Sequence, residues 1–520
     1  MKEKYLSSRF FVLYLTPFII GSLTVFSFQP FNITIINFLI LPIFFYLTVY
    51  INKKSKSIFR KKPYRTNFFI FGSVFGFGFY LSGTSWISNS LTFDENFKIL
   101  IPFALILIPL FLSLFVGLVT LLVGPFLNYN ISSIFIFSGA MAFSDFLKAK
   151  LLTGFPWNLW AYSLSWSTEI LQTLNIIGLF AFNLIVITVF TLPIIFFYKF
   201  SVIKKFGIFI FITIFVLSAY IYGSYEVNKN KVFLKTVDDK VNVKIISPNF
   251  ELEYGLSIDQ IEKKLKKLIR YSEPNKDKKT LFIWPEGVFS GYSYSEILIF
   301  KDLIEKNFSV NHNIIFGINK LDEKTGLFYN SLLLVDNKFE LIQQYNKQKL
   351  VPFGEFLPLE SLLNKFGLKK ITEGHGSFKK GNEKINIQID QLNILPLICY
   401  EVIFTNLVQA ASVNTNLIVN ISEDAWFGNT IGPDQHYAKS IFRAIEKGTF
   451  FLRSANQGIS AIIDNKGEPL KQLERNEAGN IEYAVPLIKS DSSKNDLIFF
   501  LLLITYLFIF NFYKIKKYGK

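Results

Sequence analysis

The chain has 520 residues, 51% of them hydrophobic and 17% aromatic, with 60 Phe and a formal net charge of +16. A composition this apolar fits a membrane-embedded part joined to a sizeable soluble one, and a single cysteine excludes an internal disulfide or a cysteine-built metal cluster. Three histidines far apart in sequence (His312, His375, His436) argue against a histidine-rich metal site, and basic residues that cluster beside apolar runs point to bilayer orientation rather than nucleic acid.

Met1-Lys2-Glu3-Lys4 followed by the apolar run 10–28 has the outline of a signal peptide. The run is too long for a signal core, lacks a small-x-small cleavage site and leads straight into another apolar run, so it reads as a retained anchor. Further charge-poor runs cover 32–51, 68–88, 99–126, 131–147, 175–198 and 206–225, with a last one at 497–513. Each is about long enough to cross a hydrocarbon core of roughly 30 Å as a helix, giving eight expected spans. Asp145 near the end of the fifth is the one charge that strains this reading.

Loop charges orient such a bundle. Lys53, Lys54, Lys56, Arg60, Lys61, Lys62 and Arg65 follow the second span, Lys199, Lys204 and Lys205 the sixth, and Lys514, Lys516, Lys517 and Lys520 end the chain. With eight spans these segments and the N-terminus share one side, which the positive-inside rule makes cytoplasmic. Asp94 and Glu95 then fall outside, as does the long segment before the last span. Lys148 and Lys150 are the exceptions.

That outer segment, 240–487, changes texture. Short β-rich runs at 243–246, 281–284, 313–317, 331–335, 394–398, 417–421 and 459–463 alternate with helical patterns. One helical stripe is Ile258, Ile261, Leu265, Leu268 and Ile269; another, 433–447, has Pro near its start and Gly448 just past its end. Strands interleaved with helices predict an α/β domain of layered sheets. The expected division is a helical membrane domain at 1–228, a catalytic domain at 240–487 and a final span at 497–513.

Three pieces of this domain suit acyl transfer. Cys399 follows the apolar strand 394–398, where a strand end would hold a nucleophile rigidly at the mouth of a cleft, although a lone cysteine also reads as a small buried hydrophobe. Glu286, in Trp284-Pro285-Glu286-Gly287, ends another strand; walled by Trp284, its carboxyl could serve as a general base. Lys347, in Tyr345-Asn346-Lys347-Gln348, could hold a thiolate and then an oxyanion, although a loop lysine is by default solvated. Glu401 lies on the same side of an extended chain as Cys399. A Cys399–His436 pair is the rival arrangement, in which His436 shows no evident orienting partner.

Glu, Lys and Cys in this order resemble the nitrilase, or carbon-nitrogen hydrolase, superfamily, and the whole chain resembles the bacterial apolipoprotein N-acyltransferase family more closely. The resemblance is carried by Thr153-Gly154-Phe155-Pro156-Trp157-Asn158, Trp284-Pro285-Glu286, Tyr329-Asn330-Ser331, Lys347 with Leu350-Val351-Pro352-Phe353-Gly354-Glu355, and Ile398-Cys399-Tyr400-Glu401. Asp424-Ala425-Trp426-Phe427-Gly428, Gly432-Pro433 with Gln435-His436, and Leu452-Arg453-Ser454 with Asn456-Gln457-Gly458 continue it.

The resemblance implies a multi-span helical bundle carrying a nitrilase-like αββα sandwich on the extracytoplasmic side of a bacterial inner membrane. It implies transfer of an acyl chain from a phospholipid to the α-amino group of a diacylglyceryl-cysteine at a lipoprotein N-terminus. Cys399 would be the nucleophile, Glu286 the base and Lys347 the oxyanion partner. Glu355, Tyr400 and Glu401 would support the site, and Trp426 would sit on a mobile loop near the acyl chain. No cofactor, metal or nucleic acid is implied, and a monomer is expected. Glu423 stands where asparagine is expected, and Ser247-Pro248-Asn249 opens the domain where glutamine is common.

From the residues themselves, the run Phe353, Phe356, Leu357, Leu359, Leu362, Leu363, Phe366 and Leu368 reads as a structural helix or as an interfacial lid, and Trp157 and Trp160 read as interface aromatics. Two other functions fit parts of the pattern. A tethered amidase acting on a soluble substrate would need no such anchor, and a transporter would place charges along its spans.

Overall fold

The computed structural model describes residues 6, 8–54, 64–358, 377–382, 386–489 and 496–518. The part of the expected lid at 359–368, His375, and the loop cations Lys56, Arg60, Lys61 and Lys62 lie outside them. Two compact units divide the chain, Met1–Tyr225 with Lys494–Lys520, and Glu226–Ser493.

The first unit is helical. Its principal helices are α1 (Thr16–Leu23), α2 (Asn37–Lys54), α3 (Tyr64–Thr84), α4 (Ile101–Val123), α5 (Ile131–Lys150), α6 (Leu179–Thr191), α7 (Val202–Thr236, its end belonging to the second unit) and a last apolar helix from Leu497. Among the described residues, six helical segments are long and apolar enough to cross a membrane; the apolar helices Phe11–Ser27 and Leu497–Phe512 are shorter. Eight were expected. The difference at the first lies in the backbone, where Phe11–Leu15 is a π-turn and Thr24–Ser27 a 3₁₀ turn around the short α1.

Close approach of α3 and α4 depends on small residues, because no hydrophobic drive joins helices in lipid. A Cβ on Gly72 would lie 2.0 Å from Thr120 Oγ1, and Thr120 Oγ1 itself donates across to the Phe68 carbonyl at 2.7 Å.

Lys148 and Lys150, the exceptions to the loop-charge pattern, each face a carboxylate. Lys148 Nζ lies 2.9 Å from Asp145 Oδ1 and donates to Tyr80 Oη at 2.8 Å. Asn183 Nδ2 donates to Asp145 Oδ2 at 3.0 Å, and its Oδ1 accepts from the Ala161 N–H at 2.9 Å. Lys150 pairs with Asp496 at 3.4 Å. The exceptions to the charge rule are therefore largely neutralised in place.

Trp157 and Trp160 are not interface aromatics, since each is only 1% exposed. Trp157 packs on Trp86 with centroids 4.4 Å apart, and Trp160 stacks on Phe79 at 5.3 Å. Rings this large, set among neighbouring rings, gain more from burial than from a headgroup contact.

The second unit is a two-sheet sandwich. One sheet has the order β12-β1-β2-β3-β4-β5, from β1 (Lys240–Ser247), β2 (Thr280–Ile283), β3 (His312–Asp322), β4 (Leu327–Val335), β5 (Leu341–Asn346) and β12 (Gly479–Pro486). The other has the order β11-β10-β9-β8-β7-β6, from β6 (Ile387–Ile389), β7 (Leu392–Ile398), β8 (Leu417–Glu423), β9 (Phe450–Asn456), β10 (Ser460–Ile463) and β11 (Pro469–Leu473).

Residues of both sheets, among them Ile245, Ile283, Leu332, Ile398, Val419 and Leu452, share one buried core. The alternate residues of the first sheet, including Ile246, Phe282, Trp284 and Phe316, pack on α8 (Ile258–Ser272) through Ile261, Leu265 and Leu268. Pleat alternation explains the division, because successive side chains enter opposite layers. The second sheet carries α9 (Gly432–Lys447) against β9 and β10, completing an αββα order. Parallel pairing of β7, β8 and β9 puts their carboxyl ends on one side of that sheet.

Candidate active site

Cys399 directly follows β7, whose residues are all buried and which lies between β6 and β8. Its φ is +48°, a left-handed conformation that costs a non-glycine residue free energy. The chain turns sharply there into a single 3₁₀ turn, Cys399–Ile403. A nucleophile on such a bend stands clear of its own sheet.

The bend is held on two sides. Glu401, fully buried, accepts from the Ile398 N–H at 2.9 Å through Oε2. Its Oε1 accepts from the Gln348 N–H at 2.7 Å, the Lys349 N–H at 3.0 Å and Tyr345 Oη at 2.9 Å. One carboxyl thus ties the nucleophile's turn to the loop that carries Lys347. Burial pushes its pKa up to about 7 against the opposing pull of those donors.

On the other side the Cys399 carbonyl accepts from His436 Nε2 at 3.3 Å. His436 is fully buried, and its Nδ1 lies 3.0 Å from both Asp424 Oδ1 and Arg453 Nη2. Arg453 Nη2 also donates to Asp424 Oδ2 at 2.7 Å. Burial holds the imidazole pKa down to about 4, so the ring is neutral, and donation to a carbonyl puts its proton on Nε2. His436 therefore has the orienting partner that the sequence did not disclose. An Nε2 that holds its proton for the Cys399 carbonyl has no lone pair with which to take one from the thiol.

Glu286, 9% exposed, lies just past β2. Its Oε1 accepts from Asn330 Nδ2 at 2.7 Å and lies 3.6 Å from Lys347 Nζ, while Oε2 accepts from the Glu423 N–H at 3.1 Å. The expected wall of Trp284 is absent: the indole faces α8, donating to Ser272 Oγ at 2.9 Å, because alternation sends residue 284 into the outer layer. Polar donors, not an aromatic face, surround the carboxyl.

Lys347 follows β5 and its side chain is 1% exposed, against the default expectation for a loop lysine. Nζ donates to Glu355 Oε1 at 2.9 Å. Burial works against the ammonium, but Glu355 and Glu286 more than offset it, and its pKa is held above the usual lysine value. Glu355 Oε1 also accepts from Asn330 Nδ2 at 2.7 Å, and Oε2 from the Val351 N–H at 2.8 Å. Asn330 thereby bridges two carboxylates that would otherwise repel.

Burial raises the Cys399 thiol pKa, the Glu286 carboxylate raises it further, and the Lys347 ammonium opposes both. Asp424 also raises it, so the charges acting on the sulfur are Glu286, Lys347 and Asp424. Tyr400 is buried with its ring 5.1 Å from that of Phe404, and burial raises its phenol pKa. Trp426, half-buried beyond β8, lies 6.3 Å from the Tyr254 ring. Among the described residues no group of three or more His, Cys, Asp or Glu could hold a metal ion.

A family model described as "Apolipoprotein N-acyltransferase N-terminal domain" matches residues 20–192, and one described as "Carbon-nitrogen hydrolase" matches residues 256–494. A protein of Rickettsia bellii named apolipoprotein N-acyltransferase is 33% identical over 457 residues, 86% of this chain and 89% of its own length. The chain belongs to the apolipoprotein N-acyltransferase family. A Rickettsia prowazekii protein of that name is 33% identical over 423 residues, 80% of this chain and 83% of its own length. Among solved structures, the carbon-nitrogen hydrolase superfamily protein XC1258 from Xanthomonas campestris is similar over 48% of this chain and 91% of its own, at 16% identity and a TM-score of 0.34.

Four members of the site escaped assignment from sequence. Asn330, Asp424 and Arg453 were visible only as family motif residues, and Ser422 was not singled out. Ser422 Oγ donates to Asp424 Oδ1 at 2.6 Å. The available signal was a buried arginine inside an apolar strand, Phe450–Asn456, which demands a carboxylate partner.

Proposed function

We propose that this chain transfers an acyl chain from a membrane phospholipid to the N-terminal α-amino group of a diacylglyceryl-modified cysteine on an apolipoprotein. The single observation that carries the reading is the geometry at the bent strand end, where Glu401 ties the turn of Cys399, at φ +48°, to the loop of Lys347, whose ammonium lies 3.6 Å from Glu286. Family membership supports the acceptor and donor classes.

In the first half-reaction the Cys399 thiol proton passes to Glu286 as Sγ attacks the ester carbonyl carbon. The carbonyl oxygen becomes an oxyanion beside the Lys347 ammonium, which Glu355 and Glu286 keep protonated. Collapse breaks the ester C–O bond, and Glu286 returns the proton to the departing lysophospholipid hydroxyl. In the second, the lipoprotein amine attacks the thioester carbon, Glu286 accepts the amine proton, and Cys399 leaves and recovers a proton. A thioester must be shielded from water, which suits apolar surroundings.

The proposed placement puts this unit outside the cytoplasmic membrane with both termini inside, by the loop charges, and the protein acts as a monomer. Glu355, Tyr400 and Glu401 support the three reacting groups, and Trp426 lies along the acyl chain. The test is incubation of Cys399→Ala and of the parent protein with a labelled phospholipid, followed by mass spectrometry and then addition of a diacylglyceryl-cysteine peptide. Acylated parent protein and unmodified alanine variant are expected. Acyl-enzyme on Cys399→Ala, or ammonia release from a small amide without lipid transfer, would overturn the reading.

A further inference from the structure

Glu423 ends β8 opposite Asn456 of β9 and is 4% exposed. Its main-chain N–H donates to Glu286 Oε2 at 3.1 Å, so it is one of the donors that fix the base. Its side chain does something separate. Oε1 accepts from the Ala425 N–H at 3.1 Å, and both oxygens lie 2.9 Å from Asn456 Nδ2. Asn456 in turn closes on Phe250 in both directions, accepting from its N–H at 2.8 Å and donating to its carbonyl at 2.9 Å.

The carboxyl is also lodged against the turn beside the base. A Cβ on Gly287 would lie 2.7 Å from Glu423 Oε2, and Gly287 has φ +74°, so only glycine allows the two to meet. Around this point five buried acids, Glu286, Glu355, Glu401, Glu423 and Asp424, share two buried cations, Lys347 and Arg453. Lys347 is committed to Glu355 and Glu286, and Arg453 to Asp424. Among the described residues no ion pair compensates a negative Glu423, which feels the charges of both Glu286 and Asp424.

We propose that Glu423 is a positioning residue that works as a neutral carboxylic acid, locking the β8 end so that its own N–H stays aimed at Glu286 without placing a second negative charge beside it. Burial, with the charges of Glu286 and Asp424 adding to it, holds the carboxyl well above the usual carboxylate range despite the donors Asn456 and Ala425. An anion there would raise the proton affinity of Glu286 and slow release of its proton to the leaving alcohol. A neutral group of the same length leaves that affinity untouched.

This rests on the reading of Glu286 as base, so the experiment carries a Glu286→Gln arm. In the full-length, detergent-solubilised protein, Glu423→Gln, Glu423→Ala and Glu286→Gln are compared for acyl-enzyme formation across pH and for the infrared carbonyl band of a protonated carboxyl. The expectation is that Glu423→Gln keeps the parent kcat within about threefold and the same pH–rate profile but loses one protonated-carboxyl band. Glu423→Ala should lower kcat about tenfold or more with KM unchanged, the loss expected when a buried network loses one of its members. If Glu423→Gln falls as far as Glu423→Ala, or the infrared band persists in it, the neutral-acid role is wrong; if Glu423→Ala is unaffected, there is no positioning role. Glu286→Gln retaining acylation would instead sink the base assignment, whatever Glu423 does. Thermal melting of each variant separates loss of fold from loss of rate.

Discussion

Replacing Lys347 with methionine removes one charge from between two buried carboxylates while nearly preserving the volume of the side chain. The distances are 2.9 Å to Glu355 and 3.6 Å to Glu286. At an effective dielectric near 20, each contact is a gross attraction of roughly 5 kcal/mol. Desolvation offsets much of this, and breaking a buried pair by deleting one partner costs about 3–5 kcal/mol net. The protein can limit that cost by protonating Glu286 or Glu355, which disarms the base. The oxyanion loses its cation as well, a loss of about 10²–10³ in rate by itself. Lys347→Met should therefore slow single-turnover acylation of Cys399 by at least about 10³-fold and lower the melting temperature. Lys347→Arg should not restore the rate, because a planar guanidinium cannot occupy a site built around one ammonium with a 1% exposed side chain. Quenched-flow acylation with a fluorescent phospholipid, read by mass spectrometry, measures it. Acylation of Lys347→Met within tenfold of the parent rate would refute the reasoning.

Two further predictions concern charge and stability. Glu401 is raised from 4.5 to about 7, so the folded state keeps a proton the unfolded chain has lost, and its contribution falls as pH rises through 4.5–7; His436, lowered from 6.5 to about 4, does the reverse, losing stability as pH falls through 6.5–4. The two slopes, each worth about 3 kcal/mol over its window, nearly cancel between pH 4.5 and 6.5. Glu401→Gln should unmask a melting temperature that falls on acidification, His436→Gln one that rises, by scanning calorimetry; parallel profiles would refute the assignment. In the helical unit, Asp145→Asn or Lys148→Met should each destabilise by about 3–5 kcal/mol, whereas the double change should recover most of the loss. Thermal shift in detergent checks it, and additive losses would show that the pair is not coupled.

Much of this protein is decided by residue order alone. Runs such as 99–126 and 131–147 are apolar enough that any fold must bury them or place them in lipid, and α4 and α5 occupy those stretches. The short β-rich runs became β1, β2, β3, β4, β7, β8 and β10, because a buried strand between two layers reads as a continuous apolar stretch. Four of the strands that escaped notice, β5, β6, β11 and β12, are edge strands and partly exposed, so polar residues interrupt their signal. β9 escaped for another reason, since Arg453 and Asn456 lie inside it.

What sequence could not supply is the partner of each charge, since partners sit on different elements, from 8 residues apart for Lys347 and Glu355 to 61 for Lys347 and Glu286. His436 looked unsupported because Asp424 and Arg453 reach it from two other elements. Trp284 looked like the wall of Glu286, and only sheet pleating shows that it faces the opposite layer. Lys347 read as solvated until Glu355 and Asn330 closed over it. Composition and periodicity determine which segments are buried, because burial acts on each segment's own residues. Tertiary structure decides which charge neutralises which, because that energy depends on distances of a few ångströms between segments remote in the chain.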